Sequence, residues 1–294
     1  SSVTSHSSST SEGVQTITRT KTTSTWDVYS DSSTGTPVDT EETLDPFTGR
    51  MDQVEAMTGL NVHRSTGIPQ GVSGGRISHD MGNGYSAETD AYGIGHTVAT
   101  DTGMSIGGGI SRASTALTGD SSTGEMNTMV IQGRVGKALD NRDATVIVGG
   151  HIANSDINYS RTIGDFSAEG ETSSKDVGAT VTVEKSTGTM RPFAGVTVGK
   201  RSTDGWAETG DVQAMLLATD EEETYRYGTL GFNIDTGVLN FTVSKDIGDS
   251  EAMRFGAGIN KHINERISFG ASVNRLTENE NTSTYMSAGI KIRF

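Results

Sequence analysis

The sequence predicts an all-β protein: a 12-stranded antiparallel up-and-down transmembrane β-barrel with a short N-terminal helix inside the lumen. Three observations predict it. From residue 71 onward apolar residues recur at every second position, the spacing that gathers them on one face of a strand. Tight turn sequences alternate with longer polar connections, as expected of a barrel with short turns at one end and long loops at the other. No apolar run approaches the ~18 residues of a spanning helix, so a membrane crossing would have to use strands.

Composition fits this expectation once the geometry is considered. The chain has 294 residues, 38 of them Gly, with 4 Pro, no Cys and 32% apolar residues. Its mean hydropathy of −0.40 at first suggests a soluble, partly disordered chain. A strand with one face on lipid and one on a lumen halves its apolar content in the same way. The absence of Cys excludes disulfides, thiolate zinc sites, iron–sulfur clusters and a Cys nucleophile. A net charge of −14 argues against a nucleic-acid partner.

The elements follow in order. Residues 1–44 form a Ser/Thr-rich segment, with 22 Ser or Thr in the first 40 positions, and the opening SSVTSHSSSTSEG reads as flexible. Residues 14–29 are read equally as a strand, from their β-branched content, or as a Thr-rich linker. No charged segment followed by an apolar one opens the chain, which fits a removed signal or the C-terminal part of a longer precursor. Residues 45–70 supply the helix and a loop. Asp45 can cap the helix, Pro46 suits its first position, and Gly59 can stop it. Met51, Val54 and Met57 recur with a helical spacing, preceded by Phe47.

Residues 71–294 form the barrel. Strands are expected near 71–81, 84–100, 103–116, 124–138, 144–158, 173–186, 190–201, 211–234 with a kink, 237–246, 251–263, 265–277 and 282–294. The alternation is clearest late in the chain. Met286, Ala288, Ile290, Ile292 and Phe294 share one face, against Tyr285, Ser287, Gly289, Lys291 and Arg293. DTG at 101–103, DNRD at 140–143, STGT at 186–189, DTG at 235–237 and HINE at 262–265 read as hairpin turns. The stretches 118–124, 154–175, 202–213, 246–251 and 277–283 read as the longer loops. Twelve strands enclose more space than side chains alone fill, and inward Gly residues widen it enough for the helix.

The last eight residues, with Ser287, Gly289, Ile292 and a terminal Phe294, resemble the C-terminal assembly signal of outer-membrane barrels. Pro192-Phe193, then Gly205-Trp206, Glu208 and Gly210, resemble a region of the autotransporter translocator domain, the barrel of type V secretion. GYSAETDAYGIGHTVAT resembles its second strand, and the helix before the first strand matches its pore-spanning linker. The resemblance spans about residues 45–294. It implies a Gram-negative outer-membrane translocator that carries its N-terminal passenger to the cell surface and anchors it there. Implied partners are outer-membrane lipid, the barrel-assembly machinery, periplasmic chaperones and the chain's own passenger. The paired Asn of self-cleaving members is not visible, Asn61 being the only Asn nearby.

Candidate chemistry is sparse. Gly71-Val72-Ser73-Gly74-Gly75 fits G-x-S-x-G, but a nucleophile elbow needs a strand before it and a helix after it, and RISHD alternates like a strand. The six His show no paired ligand spacing. Asp220-Glu221-Glu222-Glu223 lacks a calcium-loop spacing and suits an exposed acidic rim. No phosphate-binding loop is present. No catalytic residue, cofactor or metal is therefore expected. Trp206, Tyr225 and Tyr227 suit either an aromatic girdle or internal packing. Arg134, Arg254, Lys291 and Arg293 fall on the polar phase, where they are expected to face the lumen and contact Asp52 and Glu55 of the helix. Rival readings are a plugged porin-like channel or adhesin, a water-soluble all-β phage or appendage component, and a barrel enzyme.

Overall fold

The computed structural model describes residues 6–11, 14–19, 25–29, 37–43, 71–80, 86–100, 103–119, 122–139, 143–163, 166–210, 214–218, 220–264, 267–278 and 281–292. Four short strands come first: β1 (His6–Ser11), β2 (Val14–Arg19), β3 (Thr25–Tyr29) and β4 (Pro37–Thr43). The expected helix at 45–70 lies outside the described residues.

Seven long strands follow: β5 (Gly71–Asp80), β6 (Ser86–Ala99), β7 (Met104–Thr118), β8 (Ser122–Leu139), β9 (Ala144–Ile163), β10 (Phe166–Lys185) and β11 (Met190–Thr203). Three short ones, β12 (Trp206–Ala207), β13 (Thr209–Gly210) and β14 (Ala214–Ala218), interrupt the series. It resumes with β15 (Glu221–Asp235), β16 (Leu239–Gly248), β17 (Met253–His262), β18 (Ile267–Glu278) and β19 (Asn281–Ile292). Twelve of these, β5 to β11 and β15 to β19, form one closed antiparallel ring. Closure comes from β19 against β5, paired from Thr282 opposite Asp80 to Lys291 opposite Gly71. A closed ring leaves no sheet edge, so its backbone donors and acceptors need no water.

Where they are described, the tight turns predicted at one end are present. Gly103, Gly188 and Gly237 have φ of 71°, 75° and 86°, and Asp143 has φ of 46°. The turn backbone there enters the left-handed region that Gly, and more rarely Asp, tolerates.

Two expectations are corrected at the other end. The stretch 154–175 is not a loop: β9 and β10 pair continuously from Ala144 opposite Lys185 to Ile163 opposite Phe166. Likewise β7 runs to Thr118, β8 starts at Ser122, and β18 and β19 leave only residues 279–280 between them. Most of these three polar runs is strand whose polar residues face outward, whereas the expected connections at 202–213 and 246–251 do depart from the wall, after Thr203 and Gly248. The expected kinked strand at 211–234 is two elements. Only β15 joins the ring, whereas β14 pairs with β12 and, in parallel, with β2.

Candidate functional site: the two faces of the barrel wall

The wall alternates in or out at every residue. On β8 Val130 is 0% exposed and its neighbour Ile131 is 50% exposed. The outward set near the short-turn end is apolar on every strand: Val72, Ile94, Ile106, Val148, Val181 and Ile290 are all exposed. The apolar phase predicted for β19 faces outward, with Met286 and Ile290 exposed, and the alternating apolar residues of β10 and β16 to β18 do the same, with Val177, Phe241, Phe255 and Phe269 exposed.

The phase inverts further along the same strands. On β9 Ile152 faces out and His151 in, but beyond them Asn154 and Asp156 face out while Ala153, Ile157 and Tyr159 are buried. On β7 Ile110 faces out, then Arg112 and Ser114 do, while Ala113 and Leu117 are buried. Ile77, Ala91, Ala113, Val130, Leu276 and Tyr285 belong to one buried apolar cluster. Ala87, Leu117, Met126 and Ile157 form a second. Between them hydroxyls pair across strands, Thr89 with Thr115 at 2.8 Å and Thr128 with Ser155 at 2.8 Å. The inward face was expected to be polar; this end of it is largely apolar. Where the outer face is polar, an apolar inner face is what a strand in water requires.

Near the level of inversion the interior carries charge. Asp176, on β10, has its Oδ1 3.0 Å from His151 Nε2 and accepts from Tyr225 Oη at 2.7 Å. Its Oδ2 accepts from Arg201 Nε at 3.1 Å. Gly178 and Gly199 face each other in register. A Cβ on Gly199 would meet the Tyr225 ring, and one on Gly178 would meet His151. The glycines thus hold no open lumen here; aromatic and imidazole rings occupy the space. Tyr225 and Tyr227 stack with centroids 6.2 Å apart on the inward phase of β15, which decides for internal packing over a girdle. A second cluster centres on the fully buried Asp246. Its Oδ1 accepts from Arg254 Nη1 at 2.7 Å and Thr229 Oγ1 at 2.8 Å, and its Oδ2 from Ser250 Oγ at 3.1 Å. Near the short turns Arg191 donates to Asp235 at 3.1 Å and lies 3.9 Å from Glu184. Such buried pairs hold only because hydrogen bonds satisfy the remaining lone pairs.

Of the residues expected to line the lumen, Arg134 and Arg254 are buried and inward, on β8 and β17, with five strands between them in the ring. Arg254 pairs with Asp246 of the wall itself. Lys291 belongs to β19, opposite Gly71. Arg293, Phe294, Asp52 and Glu55 lie outside the described residues, so the contacts expected between the wall and the helix do too. Ser287 bonds Ser272 at 2.7 Å, and Gly289 lies opposite Ser73. Ile292 ends β19. Ser73 sits inside β5, and strand continues after it to Asp80, so the G-x-S-x-G sequence forms no elbow. The acidic run is engaged: Asp220 accepts from Gly205 N at 2.7 Å, and Glu222 pairs with Lys200 at 2.8 Å. Among the described residues no three His, Asp or Glu side chains are grouped to hold a metal. The sequence reading named Tyr225 for internal packing but missed its partners His151, Asp176 and Arg201, although a buried-phase His, Asp and Arg on adjacent strands was the signal available.

Phe193 is inward and buried, Glu208 is buried, and Gly210, at φ of 147°, lets β13 pair with β10. No family model and no curated protein matches the sequence. Solved structures do. The translocator domain of autotransporter NalP from Neisseria meningitidis aligns with a TM-score of 0.68 at 13% identity, over 82% of this chain and 94% of that one. The chain has the fold of an autotransporter translocator domain. The β domain of the Bordetella autotransporter BrkA aligns with a TM-score of 0.55 at 14% identity, over 77% of this chain and 100% of that one.

Proposed function

We propose that the chain is a Gram-negative outer-membrane translocator that passes its N-terminal segment through the barrel to the cell surface and anchors it there. One observation carries this reading. The barrel begins with Gly71 at the short-turn end, whereas β2 pairs with β14, inside the long connection at the opposite end. Since β3 lies against β14 and pairs with β4, which ends at Thr43, residues 44–70 join opposite ends of the wall. As a helix they would reach ~40 Å, enough to cross a hydrocarbon layer of ~30 Å. A route outside the barrel would put peptide groups against lipid, which favours the lumen.

The apolar outward band supports a lipid surround. In this reading Ser287, Gly289, Ile292 and Phe294 present the assembly signal to the barrel-assembly machinery after periplasmic chaperones deliver the chain. Arg134, Lys291 and Arg293 meet Asp52 and Glu55 of the threaded segment. The barrel acts as conduit and anchor, with no catalysis, cofactor or nucleic-acid partner. The test is protease added to intact cells expressing the full chain. Residues 1–40 are expected to be cleaved while the barrel remains protected. Protection of that segment until the outer membrane is opened would overturn surface display and favour a plugged channel.

A further inference from the structure

The first outward position beyond the apolar band is occupied in an unexpected way. It is Lys175 on β10, Lys200 on β11 and Arg226 on β15, three consecutive strands of the ring, while on β16 Lys245 lies one step inside the band, opposite Leu230 and short of the exposed Ile247. On β18, β5 and β7 it is Arg275, Arg76 and Arg112. Asp90 on β6 is the one acid at this tier within a strand, and it accepts from Arg76 at 2.8 Å. Yet the chain has 37 acidic and 23 basic residues, so an unselected tier would carry mostly acids. The tier coincides with the phase inversion, the depth at which the wall passes from apolar surroundings to water.

Resting on the reading of the chain as an outer-membrane barrel, we propose that this basic tier is a binding surface for the phosphate groups of outer-leaflet lipid. The register supports a shared site. Lys200 lies opposite Val177, two residues from Lys175, and Arg226 lies opposite Val198, two residues from Lys200. With strands ~4.8 Å apart and ~3.3 Å per residue, adjacent cations sit about 8 Å apart at the backbone. Their long side chains can converge on one phosphate, Arg through its planar fork and Lys as a point charge. All three cations of this arc are exposed. Lys200 alone of them has a carboxylate partner among the described residues, Glu222, with both side chains more than half exposed. Exposed pairs of this kind are weak and give way to a better anion. Stems lying along the apolar band with heads at its edge are the arrangement of cations that snorkel to a headgroup layer.

The full chain, folded in neutral detergent, is titrated with a fluorescent lipid A bearing its phosphates and with the same glycolipid after dephosphorylation. The phosphorylated probe is expected to bind more tightly, without displacement by an equal concentration of inorganic phosphate. Replacing Lys175, Lys200 and Arg226 together by Gln is expected to weaken binding on the order of a hundredfold at low salt. The matching replacement of Lys137, Lys185 and Lys261, outward cations near the short turns, is expected to leave it unchanged. Equal binding of the two glycolipids, displacement by inorganic phosphate, or equal loss in both triple variants overturns the proposal. The wild-type comparison needs no variant to fold. Failure of the wild-type chain to insert into phosphatidylcholine vesicles with a heat-dependent gel shift would overturn the membrane reading as well. Insertion without phosphate preference overturns this proposal only.

Discussion

On β8, Ile131 and Val135 face outward with Gln132 and Arg134 inside, whereas a few residues earlier Met126 is inside and Glu125 outside. The two ends of one strand thus follow opposite rules. Near the short turns the wall is apolar without and polar within; near the other end it is polar without and apolar within. Secondary structure and pairing are continuous across the change. What differs is the solvent each end is built for, and a backbone ladder transmits no preference about which face is dry.

Substitutions at four positions probe that contrast. The largest effect is expected where charge is sealed inside. Asp246→Ala removes the buried carboxylate paired with Arg254 and is expected to cost about 4 kcal/mol, read as a lowered midpoint of urea unfolding in detergent. An unchanged midpoint would mean that the Asp246–Arg254 pair contributes nothing to stability. Next is the apolar interior of the other end, where Met126→Ala is expected to cost about 3 kcal/mol by leaving a void. If Met126→Ser proves no worse than Met126→Ala, the position is wet and the inversion is superficial. Smallest is the outer face. Val181→Lys is expected to cost ~2 kcal/mol in a bilayer, measured by refolding into vesicles, while Asn154→Lys stays within ~0.5 kcal/mol. Similar costs at both sites would erase the boundary between the two regions.

Strand number, tight turns and the outward phase of the later strands were legible because a lipid-facing surface leaves a simple mark, an apolar residue at every second position. The inversion was not. Along β9, Ile157 and Tyr159 keep the period of two but sit on the phase opposite to that of Val148 and Ile152, so a reading that assigns one phase per strand ends the strand and calls the rest a loop. The Asp176 cluster escaped for a different reason: its members come from four strands, and only register brings His151, Arg201 and Tyr225 to one carboxylate. Residues 211–220 misled because β14 has the apolar content of a wall strand, AMLLA, but pairs outside the ring.

The pairing of β19 with β5 bears on how such a chain can assemble. Every other seam of the ring joins strands that are neighbours in sequence or separated only by the excursion at 204–220. Those hairpins can form as soon as both arms exist. The last seam joins residues some two hundred positions apart, and for a loop of that length closure entropy is about 5 kcal/mol. Until Asn281–Ile292 takes its place, an eleven-strand sheet presents two long rows of unsatisfied amides, a form open to aggregation. Completion is thus a single late, non-local event, and anything that holds the two edges near each other acts on the rate of assembly rather than on the final stability.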